Sequence, residues 1–514
     1  MKHWCAPWAT TWALYIGFVT APVATIGQEW TWSADLPEQI THALDCIEGP
    51  EGRIHVVVGG HLVSPTIFPL GRVFSLDQSG DEIATTVVTF PDAGVTPYSL
   101  AMDSATSTIT VYSNVVDSLL WSGPEGSTIG MSRFTLDLEP ITEVEVGIGF
   151  SQAGQAVLPL SGGEALVAIT GWQYGEPWTN TIQLMRVNQN GALLDSDYVT
   201  QCIFCGAASL IRAPGGEILM GTYSTALSNT YSGGDLVSLD SAGTILATYG
   251  TPSVDDTLET SHTILSALVV RPLPNGRLVL AGATRPVNEL YQSVVQLTDN
   301  ALSEVYAQFF PAHEHTIDHP GVARCLDMNA DSEIFFGQSE NLSAGITTPE
   351  PGWPSSVRLY RFDTELNITG SYVIDGFADS SYYLLRSVRA TADGGALVTG
   401  SVADVHMNST DTRTKAWVAK VSADDLVLEM GEREPSEGWI FPNPGTEGFR
   451  LELFRPMRDG VLRIADATGR TVLHKRLDGI RADADTRLWA QGVYHVHVSD
   501  DVGVPIFRTT WIKQ

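Results

Sequence analysis

Leu210-Ile211-Arg212-Ala213-Pro214-Gly215-Gly216 runs into Glu217-Ile218-Leu219-Met220-Gly221, and the phrase continues in Leu236-Val237-Ser238-Leu239-Asp240-Ser241-Ala242-Gly243 and Thr244-Ile245-Leu246-Ala247-Thr248-Tyr249. These are four apolar runs punctuated by Pro-Gly-Gly, a variable gap and Asp-Ser-Ala-Gly, the pattern of four short strands joined by turns. Outward from this stretch the phrase recurs along most of the chain. The glycine that ends its second strand returns as Gly59, Gly171, Gly221, Gly282, Gly337 and Gly400, with Asn114 in the second copy, at intervals of 55, 57, 50, 61, 55 and 63 residues. An apolar residue of the third strand gives an independent column: Leu76, Leu136, Val187, Leu239, Leu297, Phe362 and Val421. Both columns count seven, and no helical periodicity separates the units. This predicts a seven-bladed β-propeller over residues 28–430, in which radial repetition buries each sheet against its neighbours. An open solenoid would need capping units, and none is visible. Glu29-Trp30-Thr31-Trp32-Ser33-Ala34-Asp35-Leu36 has the form of a fourth strand placed ahead of the first unit. It is expected to pair with the last blade and close the ring, beside or in place of residues 426–430.

The repeat also sorts the connections by face. First-to-second and third-to-fourth turns are short and share one face; second-to-third loops and blade crossings share the other. The longest of these include residues 251–263, 339–356 and 401–415. Binding residues on a rigid scaffold concentrate in such loops, so the loop-rich face is the expected binding surface.

Composition narrows the function classes. The chain has 514 residues, 29 Lys+Arg against 59 Asp+Glu, and a net charge of -30. That balance opposes a polyanionic partner and excludes nucleic acid, which is held by clustered cations. No apolar run of 18 residues follows the first 27, so the mature chain is not expected to be an integral helical membrane protein. Met1-Lys2-His3, the apolar stretch 6–23, and Thr25 and Gly27 at the -3 and -1 spacing read as a signal peptide over 1–27. Its removal takes Cys5 and leaves Cys46, Cys202, Cys205 and Cys325 in an oxidising compartment.

After a polar linker over 431–438 the composition changes. Residues 439–514 hold 11 Lys+Arg and 9 Asp+Glu, which leaves 18 basic and 50 acidic residues upstream. Period-two alternation in Val461-Leu462-Arg463-Ile464-Ala465-Asp466 and Val493-Tyr494-His495-Val496-His497-Val498 predicts a small Ig-like antiparallel β-sandwich. Three ordered motifs mark it: Ile440-Phe441-Pro442-Asn443-Pro444, Leu462 to Val472 through Asp466-Ala467-Thr468-Gly469-Arg470, and Leu488-Trp489-Ala490-Gln491-Gly492-Val493-Tyr494, before a terminal strand ending Trp511-Ile512-Lys513-Gln514. In these the tail resembles the type A C-terminal sorting domain of type IX secretion substrates from Bacteroidetes-type bacteria. The resemblance implies recognition by the type IX machinery at the outer membrane. It also implies removal by a sortase-like peptidase, which can join the passenger to an anionic lipopolysaccharide. The stretch Asp478 to Thr486 departs from the family, which has a shorter polar link there. The propeller region in turn resembles secreted repeat propellers that precede such tails, a likeness of architecture alone.

Four groups of residues invite chemistry. His313-Glu314-His315-Thr316-Ile317-Asp318-His319 packs three imidazoles and two carboxylates into the crossing between the fifth and sixth blades, a donor set suited to zinc, or else a polar surface loop. Asp327-Met328-Asn329-Ala330-Asp331-Ser332-Glu333 alternates oxygen donors as a calcium loop does, or forms an Asx turn between two strands. Cys202 and Cys205 are disulfide candidates, whereas Cys46 and Cys325 lie in blades that are not adjacent and read as buried thiols. Trp121, Trp172, Tyr174, Trp178, Tyr223, Tyr231, Tyr291 and Trp353 fall in loops. There they either stack on sugars or protein partners, or fold back as loop cores. The sequence has no Gly-x-Ser-x-Gly elbow, His-Glu-x-x-His or phosphate loop. The leading expectation is an exported, non-catalytic binding module for glycan or surface protein. The alternatives are a metal-dependent hydrolase or lyase at His313, His315 and His319, and a structural surface-layer component.

Overall fold

A computed structural model of the chain describes residues 30–34, 36, 40–62, 68–117, 127–146, 151–173, 179–202, 205–224, 235–250, 266–284, 291–299, 304–310, 316–321, 324–343, 353–406, 413–426, 438–441, 445–467, 470–499 and 505–513. The predicted signal peptide and nearly all of the linker lie outside them. Within them the chain is almost entirely antiparallel β-structure. Upstream of residue 438 the described strands form seven consecutive sheets, six of four strands and one of five. The first strands of the sheets are Ile40–Glu48, Ala93–Asp103, Ser151–Pro159, Cys205–Arg212, Ser266–Pro272, the interrupted pair Ile317–Pro320 and Leu326–Met328, and Ser381–Ala390. In the first six sheets each later strand pairs with the one before it.

The repeated phrase has a physical cause at each position. Its Asp or Asn after the third strand opens a hairpin turn: Asp77, Asn188, Asp240 and Asp363 each accept the backbone N–H groups two and four residues on, at 2.8–3.0 Å. The turn's fourth residue then lies in the left-handed region, as at Gly243 with φ 94°, where glycine carries no Cβ penalty. The strand-ending glycine answers a different need. A Cβ at Gly221 would collide with the Leu268 carbonyl oxygen of the next sheet, so the glycine lets neighbouring sheets approach backbone to side-chain face. One column needs correction. Leu136 is only half-buried and lies beyond its strand Ser127–Thr135; Phe134, 1% exposed, fills the core position. The turn that follows is one residue shorter than most of its counterparts, which shifts the spacing.

Every first strand carries an irregularity at the same level. The register slips between Ala43 and Asp45, Pro97 and Ser99, Gly154 and Ala156, Ala207 and Ser209, Ser266 and Val269, and Leu385 and Ser387. In the sixth sheet the pairing passes from Pro320 opposite Gln338 to Leu326 opposite Phe336. Such bulges bend a strand and re-aim its side chains. Residues at or beside several of these irregularities line one cavity, among them Asp45, Tyr98, Ser99, Ala208, Ser209 and Arg324.

The seventh sheet is completed from the other end of the chain. Trp30–Ala34 pairs antiparallel with Lys415–Val421, Trp30 opposite Lys420 and Ala34 opposite Ala416. It therefore takes the fourth-strand place; residues 427–430 lie outside the described ones. Thr41 and Thr414 then exchange backbone and hydroxyl hydrogen bonds at 2.9–3.1 Å. Trp30, 9% exposed, covers the turn at Gly80 and donates its indole N–H to the Gln78 carbonyl at 2.8 Å.

The tail forms a separate sheet of strands Gly438–Phe441, Gly448–Asp466, Thr471–Asp485, Gly492–Ser499 and Pro505–Lys513. Two long strands slip register between Glu452 and Gly460. This lets their halves fold over a core of Phe449, Leu451, Leu462, Ile464, Val496, Phe507 and Trp511. Residues 481–485 pair with 448–452 and Gly479 with Met457, so the stretch that departs from the family is mostly strand rather than link.

Replacing Trp30 by Ala is expected to cost about 3 kcal/mol, the range for a large buried aromatic, while Thr31→Ala at its exposed neighbour stays within about 0.5 kcal/mol. Urea midpoints measure both, and equal effects would show that the amino-terminal strand does not clasp the seventh sheet.

Candidate functional site

The loop-bearing end of the sixth sheet gathers the nominated residues whose side chains the structure describes. Ile317–Pro320 is strand rather than surface loop, because Ile317 pairs with Leu342 and His319 with Ser339. His319 is 7% exposed, and its Nδ1 lies 2.7 Å from the Pro320 carbonyl oxygen. A carbonyl only accepts, so that nitrogen carries the proton. Burial lowers the imidazole to about pKa 4, with a smaller contribution from the Arg386 charge, and keeps it neutral. Asp318 is 4% exposed and pushed up to about 7 by burial and by the Glu340 carboxylate, against the opposing Asn341 N–H bond and Arg358 charge. Its Oδ1 accepts that N–H at 2.9 Å. Asn341 has φ 62°, a conformation its side chain tolerates, and bridges both ends of the connection 343–355. Its amide donates to Pro354 O at 2.8 Å, and its carbonyl accepts the Trp353 indole at 2.7 Å.

Trp353 and Tyr291 therefore belong to the loop core. Both pack against the apolar cluster that includes Ile317, Leu342 and Tyr382, and Tyr291 meets the His319 ring edge-on at 6.1 Å. The Tyr291 carbonyl also accepts the Asp318 N–H at 3.3 Å. Chemically, the cluster keeps one carboxyl able to hold a proton near neutrality and one imidazole unprotonated, and it anchors a long loop.

Of the other nominated residues, Trp121, Tyr174, Trp178, Tyr231, His313 and His315 lie outside the described ones. Trp172 sits in Ala165–Gln173 and Tyr223 in Ile218–Ser224. Cys202 ends the last strand of the third sheet and Cys205 begins the fourth. Cys46 and Cys325 are buried thiols, and burial pushes both up, Cys325 to about 12. In the calcium candidate, Asn329 Oδ1 accepts the Asp331 and Glu333 N–H groups at 3.0 and 2.9 Å, the Asx turn again. Asp327 faces away from it: Oδ1 takes two bonds from Arg271 at 3.0 Å, and Oδ2 accepts Ala390 N at 3.1 Å. Among the described residues no three His, Cys, Asp or Glu side chains converge as metal ligands.

A network missed from sequence surrounds Asp45, whose side chain is 5% exposed. Arg389 of the seventh sheet binds it twice, at 3.0 and 2.8 Å, and Ser387 Oγ donates at 3.3 Å. From the second sheet Leu100 N donates at 3.2 Å. The signal available was a charged residue within each of several otherwise apolar first strands. Their partners stand more than 340 residues apart in Asp45 and Arg389.

In the tail, the motifs converge. Asp466 caps its hairpin by accepting Arg470 N at 3.1 Å and pairing with Arg470 Nε at 3.0 Å. Tyr494 donates to Ala490 O at 2.7 Å and stacks between Trp489 and Trp511. The buried Lys513 ammonium donates to Thr486 O and, at 2.8 Å, to Trp489 O. Gly445 N donates to Ile512 O at 2.9 Å, which places the chain leaving Pro442, Asn443 and Pro444 beside that strand. Those three residues and Gly469 lie outside the described ones, and Gly492 opens its strand.

Residues 439–509 match the family described as the secretion system C-terminal sorting domain. The tail is thus a type IX sorting domain, the mark of a protein exported to the cell surface or beyond. No curated protein matches the chain. Among solved structures, a Dyadobacter fermentans protein of unknown function is 13% identical, spans 65% of this chain and 96% of its own, and has a TM-score of 0.43. The Neurospora crassa Pan2 WD40 domain is 11% identical over 78% and 97%, with 0.40. Drosophila Semaphorin 1b, extracellular domains 1-2, is 8% identical over 75% and 86%, with 0.39. None of them lends this chain an activity. No helix among the described residues is long and apolar enough to cross a membrane.

Asp318→Asn is expected to raise stability at pH 8 by up to roughly 4 kcal/mol, at 1.36 kcal/mol per pKa unit. The native carboxyl binds its proton more tightly than the unfolded one, so its contribution is lost as pH rises from about 3.8 to about 7. His319 has the opposite sign: the unfolded imidazole binds the extra proton, and stability rises from about pH 4 to 6.5. Urea unfolding of both proteins from pH 4 to 8 isolates the Asp318 part as their difference. A difference independent of pH would show that Asp318 titrates normally.

Proposed function

We propose that the chain is a type IX-exported, non-catalytic binding module, a closed seven-bladed propeller whose ligand face carries the second-to-third-strand loops and blade crossings. The first 27 residues act as the export address, and residues 439–514 are recognised by the secretion machinery and removed by a sortase-like peptidase. Support comes from the asymmetry of the connections. First-to-second and third-to-fourth turns are all four or five residues long, whereas second-to-third connections run from 5 to 13 and one crossing has 15. Antiparallel meanders put these two sets at opposite ends, so length variation is confined to one end. Ligand contact is then made by loops such as 225–234 and 343–355, held in place from beneath by residues such as Asn341 and Trp353. The ligand classes are glycan and surface protein.

Two experiments test this. Replacing residues 225–234 or 344–352 by Gly-Ser linkers of equal length should lower binding on a glycan and surface-protein panel at least tenfold with an unchanged Tm. Replacing the short turn 213–217 should leave binding intact; the reverse pattern would move the ligand to the short-turn face. Deleting residues 439–514 should leave the passenger in the periplasm, as fractionation and immunoblotting would show, and undiminished export would remove the tail from the route.

A further inference from the structure

The cavity among the first strands has an unbalanced charge. Around it Arg271, Arg324 and Arg389 supply three guanidinium groups, against the two carboxylates of Asp45 and Asp327. Two of the cations are matched: Arg271 binds Asp327, and Arg389 binds Asp45. Asp45 has nothing left to offer. Its two oxygens already accept from Arg389, Ser387, Leu100 N and Cys46 N, and Arg324 Nη1 stands off at 3.9 Å, beyond hydrogen-bond reach. Arg324 Nη1 is buried without a hydrogen-bond partner, and so is the hydroxyl of Tyr98, the extra residue in the bulge of the second sheet. Both line the cavity. The backbone of the seventh sheet's bulge adjoins them, where the Arg386 carbonyl accepts Arg324 N at 3.1 Å.

We infer that this axial cavity is a binding site for one small monovalent anion of chloride size, held by Arg324 Nη1 and the Tyr98 hydroxyl. Two unpartnered donors and an excess of one positive charge select an anion over a cation, in a chain whose net charge of -30 otherwise repels one. The cavity volume of about 30 Å³ admits a halide and excludes a sugar acid. An anion there would neutralise part of the charge that the bulge ring concentrates, and so bind the folded chain alone. The site does not depend on which face carries the larger ligand.

The test uses the full chain at constant ionic strength, with chloride replaced stepwise by gluconate, which is too large to enter. The unaltered protein should gain Tm with chloride along a saturating curve, by about 2 °C or more, as a ligand specific to the native state requires. Arg324→Met should abolish the curve and Tyr98→Phe should shift its midpoint to several-fold higher chloride. Equal Tm in both salts, or an unchanged curve in Arg324→Met, overturns the assignment. Should Arg324→Met fail to fold, crystals of the unaltered chain grown in bromide decide. An anomalous peak within 4 Å of Arg324 supports the site; water or empty density there overturns it.

Discussion

The bulged first strands are the constraint on which the rest of the upstream fold depends. Each sheet inserts at least one extra residue at the same level, and the polar side chains just after the slip at Asp45, Ser209 and Ser387 bond to a neighbouring sheet. Ser209 Oγ donates to Leu268 O at 3.1 Å and accepts Val270 N at 3.3 Å, while Asp45 accepts Leu100 N at 3.2 Å. Where the sixth sheet meets the seventh, backbone serves instead: Arg324 N donates to Arg386 O, and Val388 N donates to Arg324 O at 2.8 Å. A bulge leaves backbone groups outside the ladder of its own sheet, and leaving them dry and unpaired would cost about 1 to 3 kcal/mol each. The repeated irregularity thus converts a local defect into the join between units.

The same reasoning explains why Asp45 matters more than its single charge suggests. It receives the first strand of the second sheet on one side and the seventh on the other, so one buried carboxylate bridges residues far apart in the chain. Buried ion pairs yield little net stability once desolvation is counted, but they oppose alternative packings that would strand a charge. At the outer edge the clasp of Trp30–Ala34 on Lys415–Val421 joins the ends of this region by backbone ladder and aromatic cover. The two joins are complementary: one specifies register near the cavity and the other seals a sheet edge.

The repeat was legible because its residues answer local needs. Asp240 and Gly243 are required by one turn, and Gly221 by one close approach, and their counterparts recur in most of the units. What the spacing could not reveal depends on residues distant in sequence. Arg324 and Tyr98 look like ordinary strand residues until irregularities in their strands bring them to one cavity. His319 read as part of a polar crossing because three imidazoles in seven residues suggest solvent, yet the pairing opposite Ser339 buries it. Asp327 read as a ligand because its neighbours alternate oxygens, and only Arg271, 56 residues away, shows where it points.

The tail shows the other route to legibility, a motif whose residues serve one another. Tyr494, Trp489 and Trp511 stack at the end where Lys513 ties two carbonyls and Gly445 meets the last strand. Lys513 is buried, so its charge is spent inside, where its ammonium holds the Thr486–Trp489 turn. The sorting-domain motifs thus meet in one packed unit, and that unit is complete only once the strand Pro505–Lys513 is in place.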